Sequence, residues 1–192
     1  MDEFDGLHHR LLAIDPGFNF GVAIVELNFD DDICTVLHTH TFDIFKVAVG
    51  VHHRIFEIHG ERVAKLMAIE TIVSRLMHAW KVSGIVSEAP YLGRFPSSFQ
   101  SLTECLMAIR NGIFRYSDEM PLIQYDPTTV KYSVGAPKSK DKGTVKDAIA
   151  KLEWVRFTDP NTLNTADEHS IDACAVGLTH YIKLKEGAYE DK

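Results

Sequence analysis

The alternation of apolar and polar positions divides the chain into strands first and helices afterwards. Leu11-Leu12-Ala13-Ile14 and Phe20 to Leu27 are apolar runs bracketing Asp15-Pro16-Gly17, which predicts two strands joined by a tight turn. Asn28-Phe29-Asp30-Asp31-Asp32 then reads as a solvated hairpin loop. Ile33 to Phe42 alternates through Cys34, Val36, His38, His40 and Phe42, the pattern of a third strand with one buried face. From Glu61 to Trp80 the period changes. Leu66, Ile69, Val73, Leu76 and Trp80 recur at steps of three and four, predicting an amphipathic helix that Ser83-Gly84 ends.

Ile85-Val86-Ser87 predicts a short strand running into Glu88, with Pro90 stopping the ladder. A second helix, capped by Ser97 or Ser98, carries Leu102, Leu106, Ile109 and Ile113 on one face and extends to Tyr116. Leu122 to Tyr125 predicts the fifth strand, ended by Asp126-Pro127. In the last helix Ile171, Ala175, Leu178 and Ile182 form the core face. Thr165-Ala166-Asp167-Glu168 has capping-box spacing, which assigns Thr165 the cap and Glu168 a structural role. Three strands without intervening helices imply an antiparallel meander, and strands separated by helices imply parallel crossovers. The expected architecture is α/β, with a mixed five-stranded sheet flanked by helices. A single domain over 1–192, with its core at about 11–183, fits this length.

Composition narrows the class. The 192 residues are 45% hydrophobic and 24% charged, ordinary for a soluble globular protein, and no apolar run approaches a membrane span. Met1 to Arg10 is acidic, without a signal core, so no export or organelle address is expected. Cys34, Cys105 and Cys174 are odd in number and far apart with no CxxC, which argues against a disulfide framework or zinc site and for a reducing cytoplasm. The net charge of −7 argues against binding nucleic acid by bulk charge. Distribution reverses this locally: Val130 to Leu152 holds six lysines (Lys131, Lys138, Lys140, Lys142, Lys146 and Lys151) against Asp141 and Asp147, a net of +4. Gly135, Pro137 and Gly143 predict a loop for its first half, where lysines can meet phosphates.

Candidate chemistry lies where polar groups interrupt core patterns. Asp15 ends one core strand and Glu88 another, and His169 and Asp172 stand at i and i+3 near the start of the last helix. Gathered carboxylates repel one another unless a divalent cation holds them, and oxygen ligands of this kind suit magnesium or manganese. The pattern alone leaves a metal site and a set of unrelated surface acids equally open. Asp-Pro-Gly is also ordinary turn chemistry. His38 with His40, and His52 with His53, have no third ligand type nearby and are read as surface or packed histidines.

In register, these motifs resemble the RuvC-type Holliday-junction resolvases, nucleases with an RNase H-like fold. The matching residues are Ile14-Asp15-Pro16-Gly17 with Gly21, Glu88 with Tyr91, and Tyr125 to Gly135 with its Val130-Lys131. They continue through the basic stretch to Lys146, and end in His169-Ser170-Ile171-Asp172 with Thr179-His180. The resemblance implies a two-magnesium site held by Asp15, Glu88 and Asp172, with His169 where the family has Asp or His. Manganese could substitute for magnesium. It implies an aromatic contact near the crossover at Tyr91, and DNA contacts from Lys131, Lys138, Lys140, Lys142 and Lys146. It also implies a homodimer cutting four-way junctions and other branched DNA, such as forks, in the cytoplasm of a bacterium or a phage-infected cell. Two departures stand out: extra chain between Phe42 and Glu61, and the acidic overall charge.

Two other classes compete with this reading. A non-catalytic branched-DNA-binding module of the same fold would not need the complete acidic set. A nucleotide-binding protein of the actin and sugar-kinase type shares an Asp-x-Gly turn, but it needs a second domain and phosphate loops that 192 residues do not supply.

Overall fold

The structure is a computed structural model that describes residues 8–91, 96–137 and 143–190. β1 (His8–Asp15), β2 (Asn19–Asn28) and β3 (Ile33–Asp43) form the expected antiparallel meander, with Asp15 opposite Gly21 and Asn19 opposite Asp43. α1 (Ile44–Val51), α2 (His53–His59) and α3 (Glu61–Trp80) follow. β4 (Gly84–Glu88) then lies parallel to β1. α4 (Pro96–Phe114) returns the chain to β5 (Leu122–Tyr125), which is parallel to β4. The ends of β1, β3, β4 and β5 therefore emerge at one rim of the sheet.

The sheet has six strands, in the order β5-β4-β1-β2-β3-β6. The strand beyond the expected five is β6 (Val155–Phe157), which pairs in parallel only with Cys34 to Val36. Two further differences concern helices. The segment read as a lysine-bearing loop starts as α5 (Pro127–Ser133), capped by Asp126, whose carboxylate accepts from the backbone N–H of Thr128 and Thr129. Lys131 therefore rides on a helix, and α6 (Thr144–Ile149) holds Lys146. α4 begins at Pro96, which places Ser97 and Ser98 inside its first turn.

After the short α7 (Thr162–Thr165), the long α8 (Glu168–Glu190) is capped by Asp167, not by Thr165. Asp167 Oδ1 accepts from the Ser170 backbone N–H at 3.0 Å and the Ser170 hydroxyl at 2.9 Å. Thr165 instead donates its hydroxyl back to the Asn161 carbonyl at 3.1 Å. The capping box is absent, and Glu168 is the first helical residue. The Thr41 hydroxyl on β3 also donates to Asp167 Oδ1 at 2.6 Å, tying the start of α8 to the sheet rim.

Strand alternation sorts the core into two layers. Leu11, Ala13, Ala23 and Val25 face α8, with Val86 from β4. Leu12, Ile14, Val22 and Ile24 face α3 and α4, with Ile85. From Ser170 to Tyr181, α8 is buried except at Asp172. A Cβ at Gly177 would lie 2.9 Å from Val25 and 3.2 Å from the Ala13 Cβ, so the helix sits close against β1 and β2. The alternation decides the site. Asp15 continues the Leu11–Ala13 side of β1 and Glu88 the Val86 side of β4, so both carboxylates face α8 at the rim.

Candidate active site

Asp15 ends β1 against α8. Its Oδ2 lies 2.9 Å from Nδ1 of His169 in the first turn of that helix. Burial pushes the Asp15 carboxyl up to about 6. The His169 hydrogen bond opposes that rise, while the charge of Asp172 adds to it. Glu88 is pushed further, to about 8, first by burial and then by the charges of Asp15 and Asp172. Asp172 is likewise raised by burial, and Lys131 on α5 draws both it and Glu88 downward. The three carboxyls thus form one electrostatic group, with Lys131 as a neighbouring cation.

The register explains how α8 reaches this rim. Gly21 lies directly across the ladder from Asp15, and a Cβ there would stand 2.1 Å from the His169 carbonyl oxygen. Only a residue without a side chain lets the helix start so close to β2. Asp167 fixes the same turn from the other side through Thr41 and Ser170.

The structure brings Asp15, Glu88, His169 and Asp172 to one end of one sheet face. Among the described residues, no three acidic, histidine or cysteine side chains converge as a finished metal cage. The donor set nevertheless fits a divalent cation. Half-buried carboxyls with raised proton affinity are groups whose charged form lacks compensation, and their oxygens are hard donors. With Asp15 ionised, His169 donates through Nδ1, and in the neutral ring Nε2 then carries the free lone pair.

Tyr91 is exposed three residues beyond Glu88. Lys131 is exposed on α5 beside the acids, and Lys146 is half-buried in α6. Lys138, Lys140 and Lys142 lie outside the described residues. His38 and His40 are exposed and stack at 6.3 Å between ring centroids, His38 also stacks on Trp80 at 5.8 Å, the half-buried His52 bonds the Thr71 hydroxyl, and His53 is exposed. Residues not singled out in the sequence are Gly21 as a spacer, Asp167 as cap and Thr41 as its anchor. Gly21 had a motif position but no stated role, and Asp167 was hidden by the rival cap at Thr165.

No protein-family model and no curated protein sequence matches this chain. Solved structures do. RuvC from Thermus thermophilus superposes with a TM-score of 0.67 over 93% of this chain and 96% of its own, at 18% identity. The yeast mitochondrial Holliday junction resolvase Ydc2 gives 0.58 over 93% and 82%, at 13% identity. Fowlpox virus resolvase in complex with substrate Holliday junction DNA gives 0.53 over 91% and 98%, at 15% identity. Superposition over more than nine-tenths of this chain shows the fold: the chain has the RNase H-like fold of the RuvC-type Holliday junction resolvases.

Proposed function

We propose that this chain is a divalent-metal-dependent endodeoxyribonuclease that hydrolyses phosphodiester bonds in four-way junctions and other branched DNA. The observation that carries the reading is the placement of Asp15, Glu88 and Asp172, all half-buried, at one rim. Partial burial raises all three carboxyls, and the charge of Asp172 adds to the rise at Asp15 and Glu88. A purely structural role gives no reason to gather three half-buried acids at one rim.

In this reading Asp15, Glu88 and Asp172 hold the cations through carboxylate oxygens, and His169 completes the set. Two divalent ions held by these residues, magnesium or manganese, would supply activation of a water and stabilisation of the leaving oxygen. His169 keeps its ring fixed by Nδ1 on Asp15 and leaves Nε2 to contact the metal or accept the proton of the attacking water. Lys131 neutralises the phosphate entering between β4 and α5, Lys138, Lys140, Lys142 and Lys146 are further phosphate contacts by their sequence, and Tyr91 serves near the crossover. The working unit is a homodimer, since symmetric cutting of a four-way junction needs two sites. Met107 and Phe114, exposed one heptad apart on α4, are its proposed contact. Three buried free thiols suit a reducing cytoplasm, of a bacterium or a phage-infected cell.

The test is cleavage of a four-way junction and of linear duplex by the purified protein, with and without magnesium. Metal-dependent nicking confined to branched substrates is expected. Junction binding without cleavage in magnesium or manganese would leave the non-catalytic binding module instead.

A further inference from the structure

At the same rim, on the sheet face away from the acids, two phenylalanines stand in solvent around a lysine. Phe18 belongs to the turn that follows Asp15, and its carbonyl accepts a 3.0 Å hydrogen bond from the N–H of Ile44, the first residue of α1. Phe45 is the next residue. The Lys65 ammonium of α3 sits 4.5 Å from the Phe18 ring centroid and 5.4 Å from that of Phe45. Its charge is answered by Glu61 at 2.5 Å, and its side chain is only 13% exposed. Phe45 also meets Phe56 of α2 edge-on, at 6.1 Å. The two rings are therefore held in place, yet remain 36% and 44% exposed.

We propose that Phe18 and Phe45 form a stacking platform for nucleobases laid open at the branch point of a DNA junction. This rests on the nuclease reading above. Three observations carry it. Phe18 is part of the turn that carries Asp15, so a nucleic acid engaged by the acids passes this rim. Rings immobilised by a buried cation lose little entropy on stacking, which is what a platform for flat ligands needs. Bases inside a duplex have their faces covered, so an aromatic platform meets bases only where stacking is interrupted, and such contacts tolerate any sequence. Phe45 comes from the segment between Phe42 and Glu61 that exceeds the resolvase pattern. The platform is thus distinct from Tyr91, which lies beyond Glu88 at the end of β4.

The test uses the chain with Asp15→Asn, so that substrate stays intact, and a four-way junction carrying 2-aminopurine at the branch point. The parent should bind the junction in preference to linear duplex and change the probe's fluorescence. Phe18→Ala and Phe45→Ala should each weaken junction binding about five- to tenfold, the scale of one lost base stack. They should abolish the fluorescence change and leave duplex affinity alone, and Phe45→Trp should restore both readouts. Urea midpoints check the fold. Should Phe18→Ala not fold, Phe18→Leu keeps the bulk without the ring and should show the same loss. Junction affinity equal to the parent's, or an equal loss on duplex, overturns the platform while leaving the nuclease reading standing. Monomeric alanine variants of a dimeric parent would assign the rings to a second copy and also overturn it. A parent with no junction preference removes the nuclease reading itself and the platform with it.

Discussion

Gly21 and His169 are in backbone contact: the missing Cβ of Gly21 would fall 2.1 Å from the His169 carbonyl oxygen. This contact sets how deeply α8 sits on β2, and so where His169 and Asp172 stand relative to Asp15. Gly21→Ala must push the helix start outward. We expect a loss of about 1–3 kcal/mol in stability from overpacking. Cleavage should fall by about 100-fold or more, since small displacements of reacting groups are costly. Kinetics at a temperature where the variant is fully folded separates the two effects. Full activity there would show that α8 need not start so close.

Asp15→Asn should abolish cleavage while junction binding is retained or tightened. The amide oxygen can still accept from His169 Nδ1, so the rim stays assembled. What is lost is a charged ligand, and with it some repulsion of phosphate. Gel-shift and nicking assays on the same preparation measure both. Appreciable nicking in magnesium would remove Asp15 from the metal site.

The raised carboxyls make stability depend on pH in a definite direction. Unfolded Glu88 ionises near 4.5, but in the fold it keeps its proton to about 8. Between those values the unfolded state binds fewer protons, so this contribution to stability is complete below 4.5 and is lost as pH rises through 8. Asp15 adds the same trend between 3.8 and about 6. In EDTA the thermal unfolding midpoint should therefore fall less steeply with rising pH in Glu88→Gln than in the parent. Magnesium should raise the parent's midpoint more at pH 8 than at pH 6, because the metal must displace those protons. A magnesium effect independent of pH would argue against carboxyl ligation.

Lysines contacting phosphate should act without regard to sequence. Lys140→Ala, like Lys138→Ala or Lys142→Ala, should weaken binding to all branched substrates alike. It should also lower the slope of log K against log salt by about one unit. A changed cleavage-site preference at constant slope would mean that the segment reads bases.

The exposed face of α4 should hold the dimer. Sedimentation of the parent at micromolar concentration should give twice the chain mass of 21.6 kDa, and Phe114→Asp should shift it toward monomer. A parent that sediments as a monomer while still cutting junctions symmetrically would exclude this arrangement.

Elements were legible in the sequence where several residues repeated one signal. The run Leu11 to Ile14 and the α3 pattern from Leu66 to Trp80 announce themselves by periodicity, and Asp15, Glu88 and Asp172 by breaking it. β6 escaped because three residues with one buried side chain, Val155, carry no period, and the strand exists only through its pairing with Cys34 to Val36. The start of α8 was misplaced because Thr165 and Asp167 are both competent caps two positions apart. The choice fell to Thr41, which is distant in sequence and bonds only Asp167. The Asp126-Pro127 step that opens α5 was read only as the end of a strand, although Asp at a cap followed by Pro also starts helices.

α8 joins two things that are often kept apart. Its first turns carry His169 and Asp172, and the turns that follow are buried from Ala173 to Tyr181, packed on β1 and β2 beside Gly177. Catalytic groups on surface loops can open locally while the body of a protein stays folded. Here the amide protons of Ala173 to Tyr181 can exchange with solvent only when the helix leaves the sheet, which is unfolding of the whole layer. If α8 carries the catalytic groups as proposed, heat inactivation should coincide with loss of structure, without a separate melting of the site.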